Sequence, residues 1–230
     1  LIYDTLLALQ TNVRIEAHQH LSLSLIQAAS NFGFGHIIAE DHQYQPLTYG
    51  MLLTKINALG LALRRVIHKA GPIGVMLPTS NAAVVSIFSL YQIGSTPALL
   101  NTTSGVQTLL YCCQLAGIQT ILTSRAFIEA TSNQALVEAM GNEKITWLYL
   151  EDLANALNLR TKLTARLTRH NMGRALKRRY DFSKPSLAAL LFTSGSEGRP
   201  KCVALSHRNI LANIMQIRGV LDFTSRDILC

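Results

Sequence analysis

The sequence predicts an α/β fold, mostly parallel sheets with flanking helices, and three observations carry that expectation. Short apolar runs alternate with longer segments of helical periodicity, the pattern of parallel strands joined by right-handed crossovers. Between Ala70 and Ser124 there is no Asp, Glu, Lys or Arg, as expected where strands are buried on both faces and helices pack on them. Pro78, Gly94, Pro97 and Gly105 punctuate that stretch. Its longest helical piece, Ala82 to Ile93, falls well short of the ~20 predominantly apolar residues of a membrane span. With 230 residues, 49% of them hydrophobic and 15% charged, the chain can bury a sizeable core and is not of a disordered class.

The elements follow in order. Leu1 to about His20 reads as a helix or linker; His18 and His20, two apart, do not share a helix face and read as solvated histidines. Leu21 to Phe32 has helical spacing and stops at Gly33, and Ile37-Ile38-Ala39 reads as a strand before an Asp41–Pro46 turn. Thr48 is placed to cap a helix running to about His68, with Leu52, Leu53, Ile56, Leu59 and Leu63 on one face. Strands are expected at Ile73–Leu77, Thr96–Leu100, Gln119–Thr123 and Ile145–Leu150, with helices at Asn81–Ile93, Gly105–Ala116 and Arg125–Met140 between them. Leu187–Thr193 and Cys202–Leu205 complete the strands, and Ser206 opens a last helix, where His207 has a packing or capping role.

Cys112, Cys113, Cys202 and Cys230 form no CxxC pair, so they read as buried or free thiols of a reducing compartment, not as metal ligands. Charge is concentrated in one place. Arg160, Lys162, Arg166, Arg169, Arg174, Lys177, Arg178 and Arg179 stand together with no acid among them. They account for the net charge of +8 and leave as many basic residues as the 13 acidic ones. With Leu163, Leu167, Met172 and Leu176 interleaved, this 160–179 segment reads as a solvated linker or surface helix. If helical, it also suits an anionic membrane leaflet or an acidic carrier protein. It has no aromatic interleaving or recognition module for nucleic acid.

The chemistry is concentrated at Thr193-Ser194-Gly195-Ser196-Glu197-Gly198-Arg199-Pro200-Lys201, which follows the apolar run Leu190-Leu191-Phe192. Gly195 and Gly198 let backbone amides turn inward as an anion-binding nest. Thr193, Ser194 and Ser196 supply hydroxyl donors and Lys201 a point charge, while Pro200 stiffens the turn. The spacing is not that of a Walker A loop, since no glycine precedes the lysine and Cys202 follows it.

This string resembles the phosphate-binding signature of the adenylate-forming (AMP-binding, acyl-CoA synthetase-like) superfamily. LTYGMLL at 47–53 and IGVMLPTSNAAVVSIFSLYQIGSTPALLN at 73–101 resemble its earlier core motifs, so the likeness runs over about residues 21 to 230. TTSGVQTLLYCCQLAGIQTILTSRAF, WLYLEDL and SHRNILANI, with Glu197 in the loop, make a narrower likeness. It is to the synthetase half of bacterial bifunctional 2-acylglycerophosphoethanolamine acyltransferase/acyl-[acyl-carrier-protein] synthetases.

The resemblance implies that residues 1–20 are a linker or the tail of an upstream domain and 21–230 the N-terminal portion of an AMP-binding domain. Later motifs, and all catalytic residues, are then expected beyond Cys230. It implies a fragment of an ATP-dependent acyl-activating enzyme that forms acyl-AMP from a fatty acid and passes the acyl group to a carrier-protein thiol, linked to lysophospholipid reacylation. A fatty acyl-CoA ligase fragment and a non-catalytic membrane- or carrier-binding remnant are the alternatives. ATP and Mg²⁺ are the implied cofactors. Thr193, Ser194, Gly195, Ser196, Gly198 and Lys201 are expected on the ATP phosphates; Glu197 meets Mg²⁺ or pairs with Arg199 or Lys201. The expected location is cytoplasmic, at the inner face of the bacterial inner membrane. Cys202 stands where the family has glycine, which puts bulk beside the loop.

Overall fold

The computed structural model describes residues 20–40, 45–141, 145–181, 186–194 and 199–221. It opens with α1 (Leu21–Phe32), β1 (Ile37–Glu40), β2 (Pro46–Thr48), α2 (Tyr49–Val66), β3 (Pro72–Val75), α3 (Asn81–Ile93) and β4 (Thr96–Leu99). A 3₁₀ turn at Thr102–Ser104 leads to α4 (Val106–Ala116), β5 (Thr120–Thr123), α5 (Arg125–Ala130), α6 (Gln134–Gly141) and β6 (Thr146–Tyr149). Then come α7 (Leu150–Asn155), α8 (Leu159–Thr168), a 3₁₀ turn at Arg169–Asn171 and α9 (Met172–Arg179). β7 (Leu187–Thr193), β8 (Lys201–Ser206) and α10 (His207–Val220) end the described chain.

Six strands form one sheet in the order β6-β5-β3-β4-β7-β8, while β1 and β2 pair apart from it as an antiparallel ribbon. All neighbours in the large sheet are parallel except β8, which runs antiparallel to β7 at the edge. Side chains alternate across the sheet. Ile73, Val75 and Leu122 therefore join Leu53, Ile56 and Leu63 of α2 and Leu90 of α3 in one core. Met76, Ala98, Ile121 and Leu190 join Leu109, Cys112 and Cys113 of α4 and Met140 of α6 in the other. Both faces are covered, which is why the uncharged stretch carries no charge. No helix among the described residues is long and apolar enough to cross a membrane. Gly74 sits where the sheet is tightest: a Cβ there would lie 2.8 Å from the Leu100 side chain and 2.9 Å from that of Ile121.

Several boundaries differ from the sequence expectation. The expected Asp41–Pro46 turn yields at Pro46 to β2, anchored by Leu47 at 1% exposure, while residues 41–44 lie outside the described residues. The helix expected over Arg125–Met140 is two helices. Thr131 Oγ1 donates to Phe127 O (2.8 Å), Asn133 Nδ2 donates to Thr131 Oγ1 (2.7 Å), and Ser132 takes φ 53° between them. Hydroxyl and amide side chains that bond the local backbone end helices in this way. α7 occupies the expected end of the fourth strand, and β8 begins one residue early, at Lys201.

The 160–179 segment is the surface-helix alternative and not the solvated linker: α8 docks on α2, and α9 on α1. Asn57 of α2 is buried and donates to Ala165 O (3.0 Å) and Thr168 Oγ1 (2.8 Å), while Gln92 Nε2 donates to Asn57 Oδ1 (3.0 Å). Beyond α9, the Tyr180 hydroxyl donates to Gln92 O (3.1 Å). Ala165, Met172 and Leu176 are buried by this docking, whereas Leu159, Leu163 and Leu167 are 81%, 55% and 66% exposed. The leucines expected to act together are thus divided between core and surface.

Candidate functional site

Five parallel strands end on one edge of the sheet, and ligands of open α/β sheets bind in a crevice at that edge where neighbouring strands send their helices to opposite faces. β3 and β4 are such a pair. α3 follows β3 onto the face with Val85 and Leu90, and α4 follows β4 onto the face with Leu109 and Cys113. β7 pairs directly with β4 through Ala98↔Leu190 and Leu99↔Leu191, so the chain leaving Thr193 emerges beside the chain leaving Leu99.

The hairpin β7–β8 brings the two ends of the glycine-rich loop together. Its last rung pairs Thr193 with Lys201, and the next pairs Phe192 with Cys202. Directly opposed residues place their Cβ atoms about 4.5–5.5 Å apart on one face of the sheet. The Thr193 and Lys201 side chains therefore leave the sheet on a common face, both exposed, and Ser194 beside them is exposed as well. The cross-strand partnership of Thr193 and Lys201 was not visible in the loop spacing. Gly195, Ser196, Glu197 and Gly198 lie outside the described residues.

Cys202 alternates to the other face, where it packs against the core formed by α4, α5 and α6. Its bulk is thus turned away from the Thr193–Lys201 face. Burial pushes the Cys202 and Cys112 thiols above their usual range, with Cys202 a smaller added cause at Cys112, and brings Cys113 to about 11. The three stay protonated at neutral pH and act as small apolar side chains. Among the described residues no His, Cys, Asp and Glu are grouped to hold a metal ion. Glu197 is the loop's own carboxylate.

After β4, the turn Asn101–Ser104 presents exposed Asn101, Thr103 and Ser104, with Asn101 Oδ1 accepting from Thr103 N (3.0 Å) and Thr103 Oγ1 (2.9 Å). In the sequence this Asn-Thr-Thr-Ser run stood only as part of the resembling segments, although hydroxyl and amide residues between a strand and a helix are a signal in themselves.

The structure corrects one histidine and bears out another. His20 is not solvated: it is 7% exposed and caps α1, its Nδ1 accepting from Ser22 N at 3.2 Å. His207 packs as expected, 3% exposed, with its ring 3.5 Å from that of His20 and 4.7 Å from that of Tyr91. Burial pulls His20 down to about 4; burial, then the His20 charge, pulls His207 to about 3. His18 lies outside the described residues.

A family model described as AMP-binding enzyme matches residues 26–230. The vanchrobactin synthetase VabF of Vibrio anguillarum is 30% identical over 195 residues, which is 84% of this chain and 6% of VabF. The acyl-CoA ligase SID4 of Ajellomyces capsulatus is 46% identical over 57 residues, 24% of this chain and 10% of SID4. The o-succinylbenzoate CoA synthetase (MenE) of Bacillus subtilis, solved with the acyl-adenylate intermediate OSB-AMP, gives a TM-score of 0.67 at 18% identity, covering 91% of this chain and 48% of MenE. The chain spans a small part of these curated relatives and about half of MenE; the structural likeness speaks for the fold.

Proposed function

The chain belongs to the AMP-binding enzyme family, and from that premise we propose that it is the ATP-phosphate-binding part of an acid-activating ligase. Residues 21–230 are the N-terminal portion of the adenylate-forming domain, and residues 1–20 a linker or the tail of an upstream domain. The observation that carries this reading is the last rung of the β7–β8 hairpin, where Thr193 and Lys201 share an exposed face at the carboxyl edge of the sheet. The donor set fits a polyphosphate: the hydroxyls of Thr193, Ser194 and Ser196, the amides of Gly195 and Gly198, and the Lys201 ammonium. A substrate carboxylate attacks the α-phosphorus of ATP, the α–β bridging bond breaks, and pyrophosphate departs. Lys201 neutralises charge gathering on the leaving phosphates, and the hairpin fixes where they lie. Glu197 would hold the Mg²⁺ that accompanies them, or would pair with Arg199 or Lys201.

More finely, we propose a fatty acid as the acid and an acyl-carrier-protein thiol as the acceptor, in the service of lysophospholipid reacylation. The alternatives are CoA as the acceptor and a non-catalytic remnant of the fold. A cytoplasmic site at the inner face of the bacterial inner membrane agrees with α8, where exposed Leu159, Leu163 and Leu167 stand among cations and suit an anionic leaflet. The test is carboxylate-dependent ATP–pyrophosphate exchange in the full-length protein, followed by acyl transfer to carrier protein or to CoA. Lys201→Ala and Thr193→Ala are each expected to lower exchange by about tenfold or more. Unchanged exchange in both variants, with the fold intact, rejects the loop assignment. Transfer to CoA alone rejects the carrier-protein reading.

A further inference from the structure

α1 is tied down at its N-terminus by two imidazoles. His20 caps the helix, its Nδ1 accepting from Ser22 N (3.2 Å), and Leu21 N donates to Nδ1 of His207 (3.4 Å) at the start of α10. The two rings lie 3.5 Å apart, with the Tyr91 ring of α3 edge-on to both. Because Nδ1 is the acceptor in each ring, the single proton of each neutral imidazole sits on Nε2. A second proton would go on Nδ1, where a backbone N–H already points, and would set two donors against each other. The seated helix therefore takes both rings only as neutral groups. No carboxylate offsets this: α1, α2, α3, α9, α10, β7 and β8 contain no Asp or Glu. The charged groups on the helices around the pair are exposed cations, Lys55, Arg64 and Arg65 of α2, Arg174, Lys177 and Arg178 of α9, and Arg208 beside His207. Tyr91, the titratable group of α3, donates to Ala188 O (2.8 Å) and is held protonated by burial.

The rest of α1 is lightly held. Ser22 and Ala29 are its buried residues, and Leu25 and Ile26 are half-buried against the core. Elements with little buried surface open locally before the domain unfolds. We propose that the His20–His207 pair is an acid-opened latch: it seats α1 while both rings are neutral, and protonation frees α1 with the sheet still folded. Release leaves the rings to water, where each takes up a proton near pH 6.5. Opening is thus favoured as pH falls below 6.5, and the gain levels off near pH 4, where seated His20 would protonate as well. Release uncovers part of Met172 and Leu176 on α9, which line a small gap with Leu25 and Ile26. The latch lies at the opposite end of the β7–β8 hairpin from Thr193 and Lys201, since His207 follows the Leu187↔Ser206 rung, and it does not rest on the phosphate reading.

Amide exchange of the protein at pH 7.0 and 5.0, corrected for the intrinsic exchange rate at each pH, tests this. Protection of α1 is expected to be lower than that of β3 and β5 at both pH values. From pH 7.0 to 5.0 it should fall by about tenfold or more, as uptake of at least one proton on opening requires. His20→Asn with His207→Phe keeps a capping acceptor for Ser22 N and a ring against Tyr91, with nothing left to titrate. In that variant α1 protection should change by about threefold or less over the same range. His36 stacks on Phe32 at the other end of α1, and His36→Asn should keep the full fall. The proposal is overturned if α1 protection is flat with pH in the unaltered protein, or equals that of β3 and β5 at both pH values. It is overturned equally if the fall survives in the double variant or is lost in His36→Asn. The first two outcomes are read on the unaltered protein and decide alone where the double variant does not fold.

Discussion

The uncharged stretch between Ala70 and Ser124 and the cation-loaded stretch from Arg160 to Arg179 are opposite extremes of composition, yet both pack on the same α2–α3 layer of helices. The first packs there with one face of its strands and buries the other face against α4, α5 and α6. Ile121 and Leu122 of β5 are both 0% exposed although they point to opposite sides of the sheet. The second does so with a few residues, Ala165, Met172 and Leu176, and with hydrogen bonds to Asn57. Composition told how much of a segment could be buried. It did not tell whether a segment with little to bury was docked or free.

That contrast is open to direct attack. Ile121→Asp should destabilise the domain by several kcal/mol, since an unpaired carboxylate would be enclosed on both sides; chemical denaturation is the check. A soluble, fully folded variant would break the picture of a two-sided core.

A slightly smaller effect is expected from pH at the edge of the α2–α3 layer. His20 and His207 have folded values of about 4 and about 3 against 6.5 for the free side chain. Above pH 6.5 both states are neutral and pH has no effect through them. Between 6.5 and about 4 the unfolded chain takes up protons that the folded chain refuses, so stability falls as pH falls, by at most about 1.4 kcal/mol per pH unit per histidine. Denaturation midpoints measured from pH 7.5 to 4.5 should show this slope, and His207→Phe should flatten it. A flat profile in the unaltered protein would mean that the two rings are hydrated.

Asn57→Ala removes the polar joint between α2 and α8 and leaves the Ala165 carbonyl and the Gln92 amide short of a partner, at a cost of about 1–3 kcal/mol. Amide exchange in α8 and α9 should quicken more than in β3 or β5. Uniform quickening would show that the basic helices unfold only with the whole domain. Smallest of all, Leu163→Asp with Leu167→Asp should shift stability by about 0.5 kcal/mol or less, because both side chains already face solvent. The same pair should lower sedimentation with anionic vesicles of phosphatidylserine, whereas unchanged sedimentation would remove these leucines from membrane contact.

Much of this was legible in the chain. α1 and α3 have the bounds that their apolar spacing and the glycines after them give, Leu21–Phe32 and Asn81–Ile93. β2 was not legible: three residues carry no periodicity, and Leu47 is its single wholly buried side chain. The break between α5 and α6 was written in Thr131-Ser132-Asn133 but overridden by the apolar spacing on either side. His20 could not be placed from sequence, since its burial depends on His207 and Tyr91, distant in the chain. At the site, residue types pointed to the loop. The register that sets Thr193 against Lys201 needed the strands, because pairing across a hairpin depends on where both ladders end.

The phosphate assignment can be tested most directly by equilibrium titration of the protein and its Lys201→Ala variant with ATP and Mg²⁺. Lys201 is exposed and belongs to neither core, so the variant should keep its thermal midpoint while its affinity falls by about tenfold or more. Equal affinity in the two proteins, with the fold intact in both, would contradict the claim that the β7–β8 hairpin holds the nucleotide's phosphates.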